Sequence, residues 1–369
     1  MNRRKFIKCT TFGFASYSII AKANAIDAFK EEDNPIDDLE DSTKKSEINE
    51  SNLKSYYRIP PLLVPGSRVA FASPSSVTNI WEISKAINAF KKFGVEIEIG
   101  KIIKNQNSKN RYLAASDDER AAEFMEFVER RDIDAIISAR GGYGSMRIAD
   151  LLDYDKIAQN PKIYIGFSDF TFLLNSISQK AHLVTYHGPV GVSSFSEFSQ
   201  KYLFTFIFEN QPKEVAFTYP NAIQLVEGKA TGRIVGGNLT MIAASLGTKY
   251  EINTKDAILF FEDINEQPYQ IDRMLTQLKL AGKLDSIKGI LIGQFSSLKR
   301  RKAFYPSYSY TLLEVFEQIL SPLGVPILLN IPIGHIAEQI TIPINSIIEL
   351  DTKTKTITFL YRNLETKLD

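Results

Sequence analysis

The feature that most constrains this chain is residues 162–176, KIYIGFSDFTFLLNS. A short β-branched and aromatic run, Ile163-Tyr164-Ile165, meets Gly166, and an apolar segment with helical spacing starts directly after Asp169. That is strand, sharp turn and helix, with Ser168 at the apex. Such a turn lifts a hydroxyl above the end of a sheet and aims the N–H groups of the helix start at any oxygen beside it. Asp169 also suits the cap of that helix. Two readings stand for this stretch alone. One is a nucleophile turn. The other is an ordinary strand-to-helix loop with a capping Ser and Asp, because the second glycine of the usual elbow is missing.

The same alternation runs through residues 59–186. Strands are predicted at 68–73, 95–99, 135–138 and 184–186, with helices at 81–93 (Ile83, Ile87 and Phe90 on one face), 116–130 and 145–152. Ser116 and Glu119 have the spacing of a capping box. Alternating strands and helices predict an α/β domain with a doubly wound, mostly parallel sheet, whose sites gather beyond the carboxyl ends of its strands. Two loops fall there: the Ser168 turn, and Arg140-Gly141-Gly142-Tyr143-Gly144. Glycines allow the close backbone approach an oxyanion pocket requires. A phosphate loop is the rival reading, but its glycine and lysine spacings are absent. A tight turn without ligand is the third.

Residues 187–226 show no clean repeat and read as an inter-domain connection. Residues 227–369 read as a second, smaller α/β domain. In it, a helix at 238–246 precedes the apolar strand 257–261, which ends in Glu262-Asp263, with Glu266 beyond. Carboxylates there are costly unless paired or exposed. The helix opened by Pro268 carries Ile271, Met274, Leu275 and Leu278 on one face, a core stripe rather than a site. A strand at 289–295, a helix at 311–320, a strand at 326–329 and closing strands at 346–350 and 356–361 complete the pattern.

Length and composition exclude several classes. With 369 residues the chain can form about two domains. A net charge of +1 argues neither for nucleic acid nor for an anionic membrane surface. No stretch is long enough to span a bilayer as a mature helix, so stable membrane insertion is not expected. Residues 1–25 resemble a twin-arginine signal: Arg3-Arg4 with Phe6, Ile7 and Lys8, a mildly apolar run, and Ala23-Asn24-Ala25 as a cleavage pattern. This predicts a periplasmic or otherwise extracytoplasmic address. Residues 26–58 are acidic and poor in apolar periodicity, a flexible tether. The single cysteine, Cys9, lies in the signal, so the mature chain is expected to have no thiol chemistry.

Three histidines are available as bases: His182, His187 and His335. His335 and His187 each follow a strand, and His182, between Ala181 and Leu183, is the weakest candidate. No metal is expected, since histidines are few and the H-E-x-x-H spacing is absent. No cofactor is expected either.

Read together, the segments ASPS (72–75), YLAASDDER (112–120), RGGYG (140–144), IGFSD (165–169), YHGP (186–189), GGNL (236–239), FEDINEQPYQIDR (261–273), IGQF (292–295) and PIGH (332–335) resemble the LD-carboxypeptidase family of serine peptidases, which includes the microcin C self-immunity peptidases. The resemblance spans nearly the whole mature chain. It implies Ser168 as nucleophile, His335 as base and then acid, and Glu262 as the group that orients the imidazole, and so an active site in the cleft between the two domains. It implies an oxyanion hole from the backbone N–H groups of Asp169 and Gly142, with Arg140, Tyr143 and His187 as substrate-binding candidates. Ser145-Met146 and Asn345 differ from the family's commonest residues; Asn tolerates the turn geometry a glycine would take. The implied activity is hydrolysis of the bond between diaminopimelate or lysine and terminal D-Ala in murein tetrapeptides, by a homodimer. A microcin-type immunity peptidase is the alternative within the same chemistry. A two-domain extracytoplasmic binding protein is the alternative outside it.

Overall fold

A computed structural model describes residues 57–105, 112–209, 214–296 and 309–360. The predicted signal, Cys9, nearly all of the predicted tether and Tyr361 lie outside the described residues.

The first sheet is built as the alternation predicts. Its elements are β1 (Arg68–Ala72), α1 (Ser84–Lys91), β2 (Glu96–Ile99), α2 (Lys101–Asn105), α3 (Asp117–Glu129), β3 (Ala135–Ser138), a 3₁₀ turn (Ser145–Leu151), α4 (Tyr154–Gln159), β4 (Ile163–Gly166), a second 3₁₀ turn (Ser168–Phe170), α5 (Thr171–Ala181) and β5 (Thr185–His187). The Ser116–Glu119 capping box opens α3. The strands β1 to β5 pair in parallel, in the order β5-β4-β3-β1-β2. The order reverses between β1 and β3, so a crevice opens beyond their carboxyl ends, where the Gly-rich loop and the Ser168 turn lie.

The second unit begins with α6 (Glu197–Ile207), β6 (Val215–Thr218) and β7 (Ile223–Val226). It continues with β8 (Lys229–Asn238), α7 (Leu239–Ser245), β9 (Ala257–Ile264), α8 (Pro268–Leu280), β10 (Gly289–Ser296), α9 (Leu312–Ile319) and β11 (Ile327–Leu329). The chain closes with β12 (Ile342–Ile344), β13 (Ile347–Asp351) and β14 (Thr356–Phe359). The second sheet has eight strands, in the order β6-β14-β13-β8-β9-β10-β11-β7.

Two details depart from the sequence expectation. The second sheet, expected in the smaller unit, has eight strands against six, because β6 and β7 from the supposed connection form its two edges. The strand β12 was not expected; it leaves the second unit and pairs antiparallel with β5 of the first sheet, Ile342 opposite His187. Only three residues long and interrupted by Pro343, it has the brevity that edge positions tolerate and that periodicity cannot detect. Asn345 takes φ +67°, the turn geometry that its residue type tolerates, and its side chain ties Arg233 Nη1 (2.6 Å) to Ser178 Oγ (2.7 Å).

Two apolar cores flank the second sheet. Ile258 and Phe260 of β9 join the core shared with the first sheet, while Ala257, Leu259 and Phe261 join the core beneath α8 and α9. The stripe Ile271, Leu275 and Leu278 is fully buried there, as its spacing predicts. The two-residue period of β9 thereby sends the next residue, Glu262, toward the first unit, and Asp263 away from it.

Candidate active site

Ser168 stands at φ +61°, in the left-handed region that costs a non-glycine residue roughly 1–3 kcal/mol. The turn from β4 into α5 is therefore as sharp as the Gly-x-Ser pattern predicts. Its hydroxyl lies 3.0 Å from Nε2 of His335. Nδ1 of the same ring lies 2.7 Å from Oε2 of Glu262. The Glu262 side chain is wholly inaccessible, whereas the His335 ring keeps 16% of its surface exposed. An ionised carboxylate only accepts, so Nδ1–H donates to Glu262 and Nε2 is left to accept from the Ser168 hydroxyl. This arrangement can take a proton from the hydroxyl and return it to a leaving group.

The backbone makes room for the relay. A Cβ on Gly334, which has φ +106°, would sit 2.3 Å from Oε2 of Glu262. Phe167 packs edge-on to the His335 ring, 4.8 Å between centroids, and limits its rotation.

The strand period settles which of the neighbouring carboxylates meets His335. Asp263 turns to the start of α7, where it accepts from Thr240 N and Thr240 Oγ1, each at 2.8 Å. Burial, with the Glu262 charge adding to it, holds the Asp263 carboxyl above the usual range. Glu266 is half-buried on the following loop, its carboxyl also raised by burial and then by Asp263. Asn238 was missed as a site residue, although it lies in the GGNL segment. Its Nδ2 donates to Oε1 of Glu262 (3.3 Å) and Oδ1 of Asp263 (3.1 Å), its Oδ1 caps α7 at Met241 N (3.2 Å), and its own N–H donates to Thr171 Oγ1 on the Ser168 helix (3.2 Å). It thus ties the carboxylate to the helix that carries the hydroxyl.

The Gly-rich loop closes against Ser168. A Cβ on Gly141 would lie 3.0 Å from Ser168 Oγ, so Gly141 is the glycine in closest approach; one on Gly142 would instead meet Ser76 Oγ at 2.3 Å. The Gly141 carbonyl accepts from Ser76 N (3.2 Å), and across a trans peptide the Gly142 N–H points the opposite way. The capping alternative for Asp169 does not hold. Its carboxylate does not cap its own helix but accepts from Gly144 N (3.2 Å) and Ser145 N (2.8 Å), at the start of the 3₁₀ turn after the loop. Arg140 is partly exposed and faces Glu82 at 3.5 Å, and the exposed Tyr143 ring meets Tyr112 edge-on at 5.6 Å.

The other two histidines are placed elsewhere. His182 ends α5 at φ +51° and packs on Tyr57. His187, a candidate for substrate contact, is fully buried between Phe167 and Phe260, with neither ring nitrogen hydrogen-bonded to another residue. It offers a ligand no surface: the two aromatic rings pack against it, and β12 closes the edge of its strand. Burial, then the nearby His335, lowers its pKa from 6.5 to about 3. The unfolded chain thus binds a proton between these values that the folded chain does not, so this group costs stability progressively as pH falls through that window. His187→Leu is expected to move the acid-unfolding midpoint to lower pH, followed by circular dichroism; an unchanged midpoint would contradict the assignment. Among the described residues no cluster of His, Cys, Asp or Glu could hold a metal ion.

Known proteins are similar to this chain over most of its length. Residues 69–188 match the model of the LD-carboxypeptidase N-terminal domain, and residues 231–350 that of the LD-carboxypeptidase C-terminal domain. The chain is 38% identical over 312 residues to a Bacillus subtilis protein named probable murein peptide carboxypeptidase, covering 80% of this chain and 92% of that one. It is 28% identical over 342 residues to the microcin C7 self-immunity protein MccF of Escherichia coli, covering 83% and 96%. A crystal structure of muramoyltetrapeptide carboxypeptidase from Oxalobacter formigenes superposes with TM-score 0.69 at 28% identity, covering 79% of this chain and 98% of that one. MccF in complex with glutamyl sulfamoyl guanosine superposes with TM-score 0.73 at 25% identity, covering 81% and 97%. Two domain models matching in order, one over the segment that carries Ser168 and the other over the segment that carries Glu262 and His335, place this chain in the LD-carboxypeptidase family of peptidases.

Proposed function

We propose that this protein is a serine LD-carboxypeptidase that releases terminal D-Ala from murein tetrapeptides, cutting after diaminopimelate or lysine. The observation that carries the reading is the continuous Ser168–His335–Glu262 relay, 3.0 Å and 2.7 Å between successive partners. Ser168 Oγ attacks the carbonyl of the L-D bond while His335 Nε2 takes its proton. The backbone N–H groups of Asp169 and Gly142 receive the developing oxyanion; the outward turn of the Gly141 carbonyl favours the second of these donors. The intermediate collapses as His335 protonates the leaving amine, and water then releases the tripeptide by the same relay. Arg140 and Tyr143, accessible and flanking the two glycines, are the substrate-facing groups. The paired arginines and A-x-A pattern of residues 1–25 support export, and so action on wall-derived peptides outside the cytoplasm.

Incubating the mature protein with defined tetra- and pentapeptides tests this reading. Release of one D-Ala from the tetrapeptide, identified by mass, is the expected result; a shorter product or none would refute it. The likeness to MccF bound to a sulfamoyl nucleoside keeps a second reading, hydrolysis of peptidyl- or aminoacyl-nucleotide analogues. A higher kcat/KM on such an analogue than on the tetrapeptide would favour it.

A further inference from the structure

We infer that the Asp169 carboxylate is a positioning residue that registers the Gly-rich loop against Ser168. The assignment rests on the serine-peptidase reading above and adds a role for a side chain that does not touch the substrate.

The clasp has three bonds. Asp169 Oδ1 and Oδ2 accept from Gly144 N (3.2 Å) and Ser145 N (2.8 Å), and Ser145 Oγ donates back to the Asp169 carbonyl at 2.6 Å. Asp169 and Ser145 are both buried, so water does not compete for these bonds. From the other side the Gly144 carbonyl accepts from Nη1 of the buried Arg120 at 2.8 Å, and the same nitrogen donates to the Pro74 carbonyl. The peptide groups around Gly144 are thus held at both poles, at φ +129°, with no space for a side chain: a Cβ would meet Leu113 at 2.7 Å.

Asp169 directly follows Ser168, and Gly144 lies three residues after Gly141. Any slip of the loop along this clasp changes the distance from its N–H groups to the oxyanion, and a misplacement of about 1 Å costs on the order of 100-fold in rate. An ordinary capping Asp would bond N–H groups of its own helix. This one bonds those of the opposing loop, and so sets the spacing of the two halves of the proposed oxyanion hole.

The test compares Asp169→Asn with wild type and with Ser168→Ala. Asparagine keeps the shape but replaces one acceptor oxygen with a donor that opposes an N–H. The expected result is a fall in kcat of about 100-fold with KM within about twofold, and an equal fall in the rate at which a fluorophosphonate probe phosphonylates Ser168 with loss of fluoride. Faster amide exchange should be confined to the peptide covering the Gly-rich loop. An unchanged kcat, or an activity loss without loop-confined exchange, would overturn the proposal. If Asp169→Asn does not fold, Ser145→Ala removes one bond of the clasp. It should lower kcat several-fold at constant KM, and a neutral result there would also overturn it. Failure of the serine-peptidase reading is separately visible: wild type would then not be labelled at Ser168 by the probe.

Discussion

Replacing Ser168 with alanine is expected to lower kcat/KM for D-Ala release by about 10⁵-fold, close to 7 kcal/mol of transition-state stabilisation. The hydroxyl is the one nucleophile within hydrogen-bond reach of His335 Nε2 among the described residues, and nothing else there can form the acyl intermediate. The oxyanion donors and the pocket stay in place in the variant, which is why a residual rate above water is expected rather than none. The fold should be unaffected, because alanine keeps the Cβ and no bond that supports the sheet passes through the hydroxyl. Backbone strain gives a control. Ser168→Gly should be equally inactive but more stable than Ser168→Ala by about 1 kcal/mol, since only glycine takes φ +61° without penalty. Steady-state release of D-Ala and thermal melts of both variants measure this pair of effects. Retention of more than a tenth of wild-type activity would remove Ser168 as the nucleophile.

Glu262→Gln is expected to lower kcat by about 10⁴-fold with little change in KM. The wild-type carboxylate accepts on both oxygens, from His335 Nδ1 at 2.7 Å and from Asn238 Nδ2 at 3.3 Å. A glutamine amide cannot satisfy both. With its oxygen toward His335, its NH₂ faces the Asn238 NH₂; with its NH₂ toward His335, the ring must accept at Nδ1 and carry its proton on Nε2. That tautomer donates to Ser168 and cannot take its proton. Either arrangement buries an unsatisfied donor, so the variant should also lose stability by about 1–3 kcal/mol. A kcat loss below tenfold would show that the carboxylate neither selects the tautomer nor stabilises the imidazolium. Measuring kcat and KM separately on the tetrapeptide decides it.

Much of the local design was legible in the chain. The Ser168 turn could be read because a β-branched run, a glycine and an apolar helix face each leave a periodic mark, and the structure shows the strand, the sharp turn and the helix where the pattern put them. The capping box at Ser116–Glu119 and the proline that opens α8 were equally readable, since both are set by backbone groups within four residues. Asn238 escaped attention for the opposite reason. Its partners Thr171 and Glu262 are 67 and 24 positions away, and an Asn beside two glycines looks like a turn. His187 misled in the same manner: a histidine after a strand looks accessible, but Phe167 and Phe260, distant in the chain, pack against its ring.

What the amino-acid order determined by itself was therefore short-range: which segments are strands or helices, where the backbone can turn to positive φ, and which residue types stand ready beside those turns. Which carboxylate meets His335, which glycine lies against Ser168 and which loop Asp169 holds were decided only in three dimensions. The physical reason is reach. Helix, cap and turn hydrogen bonds and apolar periodicity act within a few residues along the chain, whereas Ser168 and His335 lie 167 positions apart and meet only because two separately wound sheets pack through one shared core.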